Sequence, residues 1–182
     1  MGQVDEAIKT GRRSVEIAEE SNHLFSRLFA LTHLGWTHII CGQLKASIPA
    51  LEAALSVGHA IHAPLLLPLV MGGIGYASVL TGNHKSGFAM FENSFALFQQ
   101  QGGGNGRLHP LGRVPQVLIW YAEALATTGE MDAASQAAND GLEIANSTSQ
   151  TSLASRAENF LKTFSSWPIR TTHADHQRIT IG

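Results

Sequence analysis

The sequence predicts an all-α chain folded as an α-solenoid of helix-turn-helix repeats, about three and a half of them, with a C-terminal capping helix. Three observations lead to this fold class. A short phrase led by glycine recurs four times, and apolar residues recur at three- and four-residue steps on both sides of its last three copies. No segment shows the sustained alternation with β-branched residues that a strand requires, so helices are predicted throughout.

Four glycines mark the repeat. Gly2, Gly42 and Gly82 are 40 residues apart, and Gly129 follows 47 residues after Gly82. Each glycine is followed by polar residues that solvate a turn. Glycine at the end of a helix adopts positive φ, so that one helix can close and the next can begin within a few residues. The spacing predicts a unit of about 40 residues, made of a helix, a glycine turn and a second helix.

Apolar helical patterns flank the turns. First helices are predicted for residues 25–41, 66–81 and 114–128. The second helices carry apolar or small residues at helical spacing, namely Ile48, Leu51, Ala54 and Leu55 in one and Phe88, Phe91, Phe95 and Phe98 in the next. Proline breaks the interior of a helix, so Pro49 predicts that the second helix of its repeat starts at Ser47.

Small residues recur at fixed offsets from the turn glycines, where neighbouring helices would cross closely. They are Gly35, Gly42, Ser47 and Ala54, then Gly75, Gly82, Gly87 and Ser94, then Ala122, Gly129, Ala134 and Gly141, and in the first unit Gly2, Ala7 and Ser14. Together with Leu34, Ile74 and Tyr121, which precede the first small residue of each full set, they resemble the tetratricopeptide repeat family. The unit is longer than that family's usual period of about 34 residues. It is similar to the long-helix arrays in the regulatory C-terminal parts of bacterial ATPase-linked transcriptional activators and of adenylate and guanylate cyclase-type signalling proteins.

The repeat domain is predicted to span residues 1–166, with a flexible tail at 167–182. A capping helix is expected over residues 151–165, with Ser152, Arg156, Glu158 and Lys162 on its solvent side. The glycine-rich stretch at residues 102–107 predicts a mobile loop. Because the chain starts at a turn, the first helix of its first repeat is absent. We expect a fragment of a longer array, or a surface completed by a partner or a second copy.

Composition excludes several classes of function. The net charge is −2 with no basic stripe, which argues against direct nucleic-acid binding. One cysteine, Cys41, cannot form an internal disulfide. No signal peptide or membrane anchor is recognisable, so a bacterial cytoplasmic location is predicted.

No catalytic motif and no cofactor motif is recognisable, so the chain is not expected to be an enzyme. The candidate metal ligands are His59 with His62, and His173 with Asp175 and His176. Surface histidines explain both groups better than a metal site does, because too few further ligands lie nearby in sequence. His38 and Cys41 lie three residues apart on an apolar helix, where core packing is the simpler interpretation.

The family resemblance implies that the first helix of each repeat lines a concave face. The candidate binding residues on that face are Phe29, His33, Trp36, Ile40, Leu69, Tyr76, Leu80, Ile119, Trp120 and Glu123. These rows contain no lysine or arginine, which excludes a clamp for a partner's carboxylate. Gly72 and Gly73 are expected to leave space for an apolar ligand. The alternative is that a tightly wound array closes these residues into its own core, and the sequence leaves both readings open.

The sequence therefore predicts a non-catalytic protein-interaction or regulatory module, part of a larger signalling or transcription-regulating protein. Its expected partner is a protein or peptide with an apolar or amphipathic segment, and self-association or packing on further N-terminal repeats is a second expectation. The alternative function is a small-molecule sensor segment coupled to an attached activator or nucleotide-cyclase domain.

Overall fold

The computed structural model describes residues 2–102 and 114–165. These residues form eight α-helices and no strand. The helices are α1 (Gly2–Glu20), α2 (Leu24–Ile40), α3 (Leu44–Ala60), α4 (Leu67–Leu80), α5 (His84–Gly102), α6 (Val114–Thr128), α7 (Met131–Ser147) and α8 (Thr151–Ser165). The predicted all-α class is confirmed.

The helices form two layers. Successive helices pack against one another, except that α5 and α6 barely touch. In addition α4 contacts α2 and α6, and α6 contacts α8. The even-numbered helices therefore make an inner layer, and α1, α3, α5 and α7 make an outer layer. This sequential packing is that of a solenoid-like repeat.

A residue in the left-handed conformation follows each of the helices α1, α2, α3, α4, α6 and α7. Gly42, Gly82 and Gly129 have φ of 71°, 97° and 86° and close inner helices. Asn22, His62 and Ser149 have φ of 53°, 51° and 57° and close outer helices. From Asn22 to Gly82 these residues recur every 20 positions, so one left-handed residue ends each half of the 40-residue unit. Only the glycine half of this pattern was predicted.

Gly2 does not fit the predicted role of a turn glycine. It is the first residue of α1, and it is not among the described residues that have positive φ. A helical residue has negative φ, so Gly2 does not use the conformational freedom for which glycine is favoured at a turn. The prediction of a turn at Gly2 was wrong.

The small residues let the two layers approach closely. A Cβ atom on Gly87 would lie 2.8 Å from the carbonyl oxygen of Gly75 and 2.8 Å from the backbone nitrogen of Val79. A Cβ atom on Gly35 would collide with the Leu51 side chain. Close helix crossing at these positions is therefore confirmed.

Pro49 lies inside α3, which starts at Leu44 and not at the predicted Ser47. The Gln43 carbonyl accepts hydrogen bonds from the backbone nitrogens of Ala46 and Ser47, so the helix is already formed before the proline. A proline at this depth removes only the bond to the carbonyl of Lys45, an exposed residue whose carbonyl can be hydrated. The prediction that this helix starts at Ser47 was wrong.

The centre of the core is α4, in which every residue from Leu67 to Val79 is buried. The last helix, α8, spans the residues predicted for the capping helix and packs on α7 and α6. Its residues Ala154 and Ala157 are buried. None of the described helices is long and apolar enough to cross a membrane. The glycine-rich loop was predicted for residues 102–107, but Gly102 is the last residue of α5, and residues 103–107 lie outside the described residues. The tail at 167–182 and the cluster of His173, Asp175 and His176 also lie outside the described residues.

Candidate functional site

The inner helices repeat in register, and this register places the predicted binding residues. Residues of α2 correspond to residues of α4 that lie 40 positions later and to residues of α6 that lie 47 positions after those. The rows are Phe29, Leu69 and Gln116, then His33, Gly73 and Trp120, then Trp36, Tyr76 and Glu123, then Ile40, Leu80 and Thr127. One row thus combines two large rings with a glycine between them.

An aromatic ladder runs along α2. The ring centroids are 5.0 Å apart between Phe25 and Phe29, 6.2 Å between Phe29 and His33, and 5.5 Å between His33 and Trp36. The side chains remain accessible, since Phe25 is 49% exposed, Phe29 37% and Ile40 82%. This part of the inner layer is open to solvent.

The middle of the inner layer is closed. The ring of Trp120 on α6 stacks on Tyr76 of α4 at 5.6 Å between centroids and meets Trp36 of α2 edge-on at 6.2 Å. Trp120 is only 3% exposed and Tyr76 only 9%. Rings from three successive inner helices therefore form one packed cluster, the Trp36–Tyr76–Trp120 cluster.

The two glycines of α4 make this closure possible. A Cβ atom on Gly73 would lie 3.0 Å from a Leu51 methyl and 3.5 Å from Nε1 of Trp36, so both side chains pack directly against the α4 backbone at this position. A Cβ atom on Gly72 would lie 2.8 Å from both methyl groups of Val117. The prediction that these glycines leave space for a ligand was wrong, because Val117, Leu51 and Trp36 occupy it.

A charged pair lies next to the cluster. Arg156 of α8 donates from Nε to Oε1 of Glu123 at 2.8 Å and from Nη2 to Oε2 at 2.7 Å. Burial raises the pKa of the Tyr76 phenol above its usual value, and the negative charge of the nearby Glu123 carboxylate raises it further. Tyr76, Glu123 and Arg156 therefore join α4, α6 and α8 in one polar network.

Arg156 corrects the prediction for the capping helix. It was expected on the solvent side of the capping helix, yet it is half-buried against Glu123. It lies 40 residues after Gln116, so it continues the first inner row, which therefore ends in a cation. The carboxylate of Glu123 is neutralised within the chain instead of facing an open groove.

The predicted site residues thus separate into two groups. Leu69 and Ile119 are 1% exposed and belong to the core, as do Tyr76 and Trp120, while Leu80 is half-buried. Phe29, His33 and Ile40 are exposed on α2, with half-buried Trp36 at the boundary between the two groups. The predicted site residues on α4 and α6 are buried or half-buried, whereas most of those on α2 form an exposed face.

The other chemical groups form no reactive cluster in the part of the chain that the structure describes. Nδ1 of the buried His38 lies 3.0 Å from Oε1 of Gln43, and Cys41 is a half-buried free thiol. His59 is exposed and His62 occupies a left-handed turn. Within residues 2–102 and 114–165, no group of three or more His, Cys, Asp or Glu side chains is placed to hold a metal ion.

No protein-family model matches the chain, and no curated protein matches it. The likeness to tetratricopeptide repeats therefore rests on the chain's own repeated residues. Any statement of function rests on the geometry of the inner layer.

Proposed function

We propose that the chain is a non-catalytic protein-interaction module and that it binds its partner through the open face of α2. We call this face the α2 stripe, and it comprises Phe25, Phe29, His33, Ile40 and the accessible edge of Trp36. The observation that supports the proposal is the exposure of a continuous aromatic ladder next to a closed core. Neighbouring exposed apolar side chains on one face are typical of interaction sites.

The chemistry of the stripe favours one class of partner. Phe25, Phe29, His33, Trp36 and Ile40 carry no formal charge when the histidine is neutral, so the partner surface should be apolar. The ring contacts hold the aromatic side chains in place before binding, which reduces the entropy lost on association.

The dimensions of the stripe suit a helix. The stripe runs along the 17 residues of α2, a length of about 25 Å at the rise of an α-helix. Apolar residues at i, i+4 and i+7 or i+8 on a second helix would match it side by side. We therefore propose the apolar face of an amphipathic helix as the bound segment. Membership in the tetratricopeptide repeat family, a place in a larger regulatory protein and a cytoplasmic location belong to the same proposal.

Binding of a labelled peptide tests this proposal. The probe is a designed amphipathic helix of leucine and glutamine, which avoids non-specific charge attraction, and binding is followed by fluorescence anisotropy. The double substitution Phe25→Ser with Phe29→Ser should weaken binding at least tenfold. Absence of saturable binding to the unsubstituted chain would contradict the proposal.

Leu24→Ser is the matched control. Leu24 lies on the same helix and is 47% exposed, close to the 49% of Phe25, but it is not part of the ladder. It should leave the affinity unchanged. An equal loss in the control and in the double variant would show that general hydrophobicity, and not the α2 stripe, binds the peptide.

A second candidate function, a small-molecule sensor coupled to an attached activator or cyclase domain, is favoured by two buried donors. Trp120 Nε1 and Gln116 Nε2 are inaccessible to solvent and have no acceptor among the described residues. Buried donors normally have a partner, and a ligand carbonyl or carboxylate oxygen would supply one. A metabolite that raises the melting temperature of the chain, but not that of Trp120→Phe with Gln116→Leu, would support this function.

A further inference from the structure

His33 is the member of the α2 stripe that can change its charge. The other members are Phe25, Phe29, Trp36 and Ile40, whose side chains do not ionise. The imidazole of a histidine ordinarily gains its proton at about pH 6.5. Protonation of His33 therefore gives the stripe a positive charge, and deprotonation makes it uncharged again.

The imidazole lies in the middle of the aromatic ladder. Its ring centroid is 6.2 Å from that of Phe29, with the planes 25° apart, and 5.5 Å from that of Trp36, with the planes 73° apart. The side chain of His33 is exposed, and it lies between Phe25 and Ile40 at the two ends of the stripe. A helix that covers the stripe from end to end therefore covers the imidazole as well.

The neighbouring inner helices have no unpaired carboxylate that could offset a charge on His33. Tyr76 is the only titratable residue of α4, and burial raises the pKa of its phenol, so it stays neutral. Glu123 is the only charged residue of α6, and its carboxylate accepts both hydrogen bonds from Arg156. Neither helix therefore offers an ion-pair partner to a protonated imidazole.

The other ionisable groups of α2 lie on other sides of that helix. His38 is buried, with Nδ1 3.0 Å from Oε1 of Gln43. Arg27 forms an ion pair with Glu19 of α1 at 3.2 Å. At 3.6 residues per turn, Arg27 and His38 lie about 120° and about 140° around the helix from His33.

The outer helices also contact α2 away from the stripe. Leu34 lies against Gly11 of α1. Gly35 lies against Leu51 of α3. These two positions of α2 lie about 100° and about 160° around the helix from His33. The charged side chains of α1 and α3 therefore do not face the imidazole.

A charge on His33 opposes the binding of an apolar helix. In the free chain water hydrates the imidazolium, and the rings of Phe29 and Trp36 attract it. A bound apolar helix displaces this water and supplies no acceptor, and burial of an unpaired charge is unfavourable. The complex therefore holds the proton less tightly than the free chain does, and by linkage protonation weakens binding.

We propose that the α2 stripe is a pH-dependent docking site, which binds an apolar helix face at neutral pH and releases it in mild acid through protonation of His33. This inference rests on the proposed function and adds the regulation of the same site. The affinity is complete above about pH 6.5 and is lost as the pH falls below that value. The partner's contact face carries no carboxylate opposite His33, because a carboxylate there would reverse the effect.

The peptide of leucine and glutamine that probes the stripe also tests its pH dependence, because with blocked termini it carries no ionisable group. Binding to the full chain is followed by fluorescence anisotropy at about pH 7.5 and about pH 5.5. The dissociation constant should rise about tenfold in acid, as expected for one proton that binds at about pH 6.5. His33→Gln should abolish the difference between the two pH values.

His33→Arg tests the effect of the charge without acid. It places a permanent cation in the stripe, so at about pH 7.5 it should bind the peptide about tenfold more weakly than His33→Gln does. His59→Gln is the matched control, because His59 is another exposed histidine, on α3. It should keep the full pH dependence of the unsubstituted chain, and circular dichroism at both pH values checks that the helices persist.

The possible outcomes separate this proposal from the proposed function. Saturable binding of equal strength at both pH values, or tighter binding in acid, overturns the pH dependence and leaves the stripe as a docking site. A loss of affinity in acid that His33→Gln retains also overturns it, because another of the nine histidines or unfolding would then be the cause. Absence of saturable binding at both pH values contradicts the proposed function itself, and the pH dependence with it.

Discussion

Arg156 donates two hydrogen bonds to the carboxylate of Glu123, from Nε at 2.8 Å and from Nη2 at 2.7 Å. The two residues are 33 positions apart and belong to α8 and α6. A bidentate pair of this geometry is stronger than a single charged hydrogen bond. It fastens the capping helix to the inner layer at the point where Tyr76 also approaches.

Replacing the cation of this pair should destabilise the chain. The side chain of Arg156 is 37% exposed and that of Glu123 20%, so Arg156→Met leaves a carboxylate that is partly shielded from water. We expect a loss of about 1–2 kcal/mol in the free energy of unfolding, less than for a fully buried pair because solvent screens the charge. Urea unfolding followed by circular dichroism measures it.

Two further variants separate the pair from general effects of charge removal. Arg13→Met breaks a pair with Glu16 in which both side chains are 58% exposed, and it should change stability little. Arg156→Met combined with Glu123→Gln should recover part of the loss, because no carboxylate remains unpaired. Equal losses in the Arg13 and Arg156 variants would contradict the structural role of the Glu123 pair.

The phenol of Tyr76 should resist ionisation. Burial and then the Glu123 carboxylate raise its pKa above the usual value near 10. The chain has two tyrosines, and the pKa of Tyr121 is also raised, mainly by burial, so Tyr121→Phe isolates Tyr76. In that variant the ultraviolet band of tyrosinate should appear only well above pH 10, and Glu123→Gln should move it to lower pH.

The same shift predicts how stability depends on pH. Folding raises the pKa of Tyr76, so the folded state holds the proton more tightly than the unfolded state does. The stabilisation is therefore complete below about pH 10 and is lost as the pH rises above that value. Compared with Tyr76→Phe, the unsubstituted chain should lose stability faster in this range. Parallel pH dependences of the two proteins would contradict the burial of the phenol.

Gly87→Ala should weaken the contact between α4 and α5. The added methyl would lie 2.8 Å from the backbone of α4, which cannot move as a side chain can. Overpacking of this kind costs about 1–3 kcal/mol, more than the roughly 1 kcal/mol that alanine gains over glycine in a helix. Gly2→Ala is the control, because nothing lies within 4 Å of its Cβ position. Urea midpoints should fall for Gly87→Ala and stay level or rise for Gly2→Ala.

The fold was largely predictable because it repeats. The turn glycines and the small residues at the crossings are sequence-local signals, and Gly42, Gly82 and Gly129 all occupy the expected turns. The alternate turns at Asn22, His62 and Ser149 were missed because each uses a residue other than glycine in the left-handed conformation.

The site was less predictable, because its state depends on contacts between repeats. Helical periodicity places Trp36, Tyr76 and Trp120 on one face, but it does not determine how closely the inner helices pack. The close approach of the three inner helices follows from Gly73, which lies against Trp36 of α2, and from Gly72, which lies against Val117 of α6. The pairing of Glu123 with Arg156 joins helices far apart in sequence, and no local pattern marks such a pair.

The inner face is part of the core at α6 and an open surface at α2. The unfolding free energy of Trp120→Ala, compared with that of Phe29→Ala, tests this difference. Trp120 is 3% exposed and Phe29 37%, so we expect a loss of about 3–5 kcal/mol for the first and below about 1 kcal/mol for the second. A Trp120→Ala protein as stable as the unsubstituted chain would show instead that the inner face is an open groove at α6.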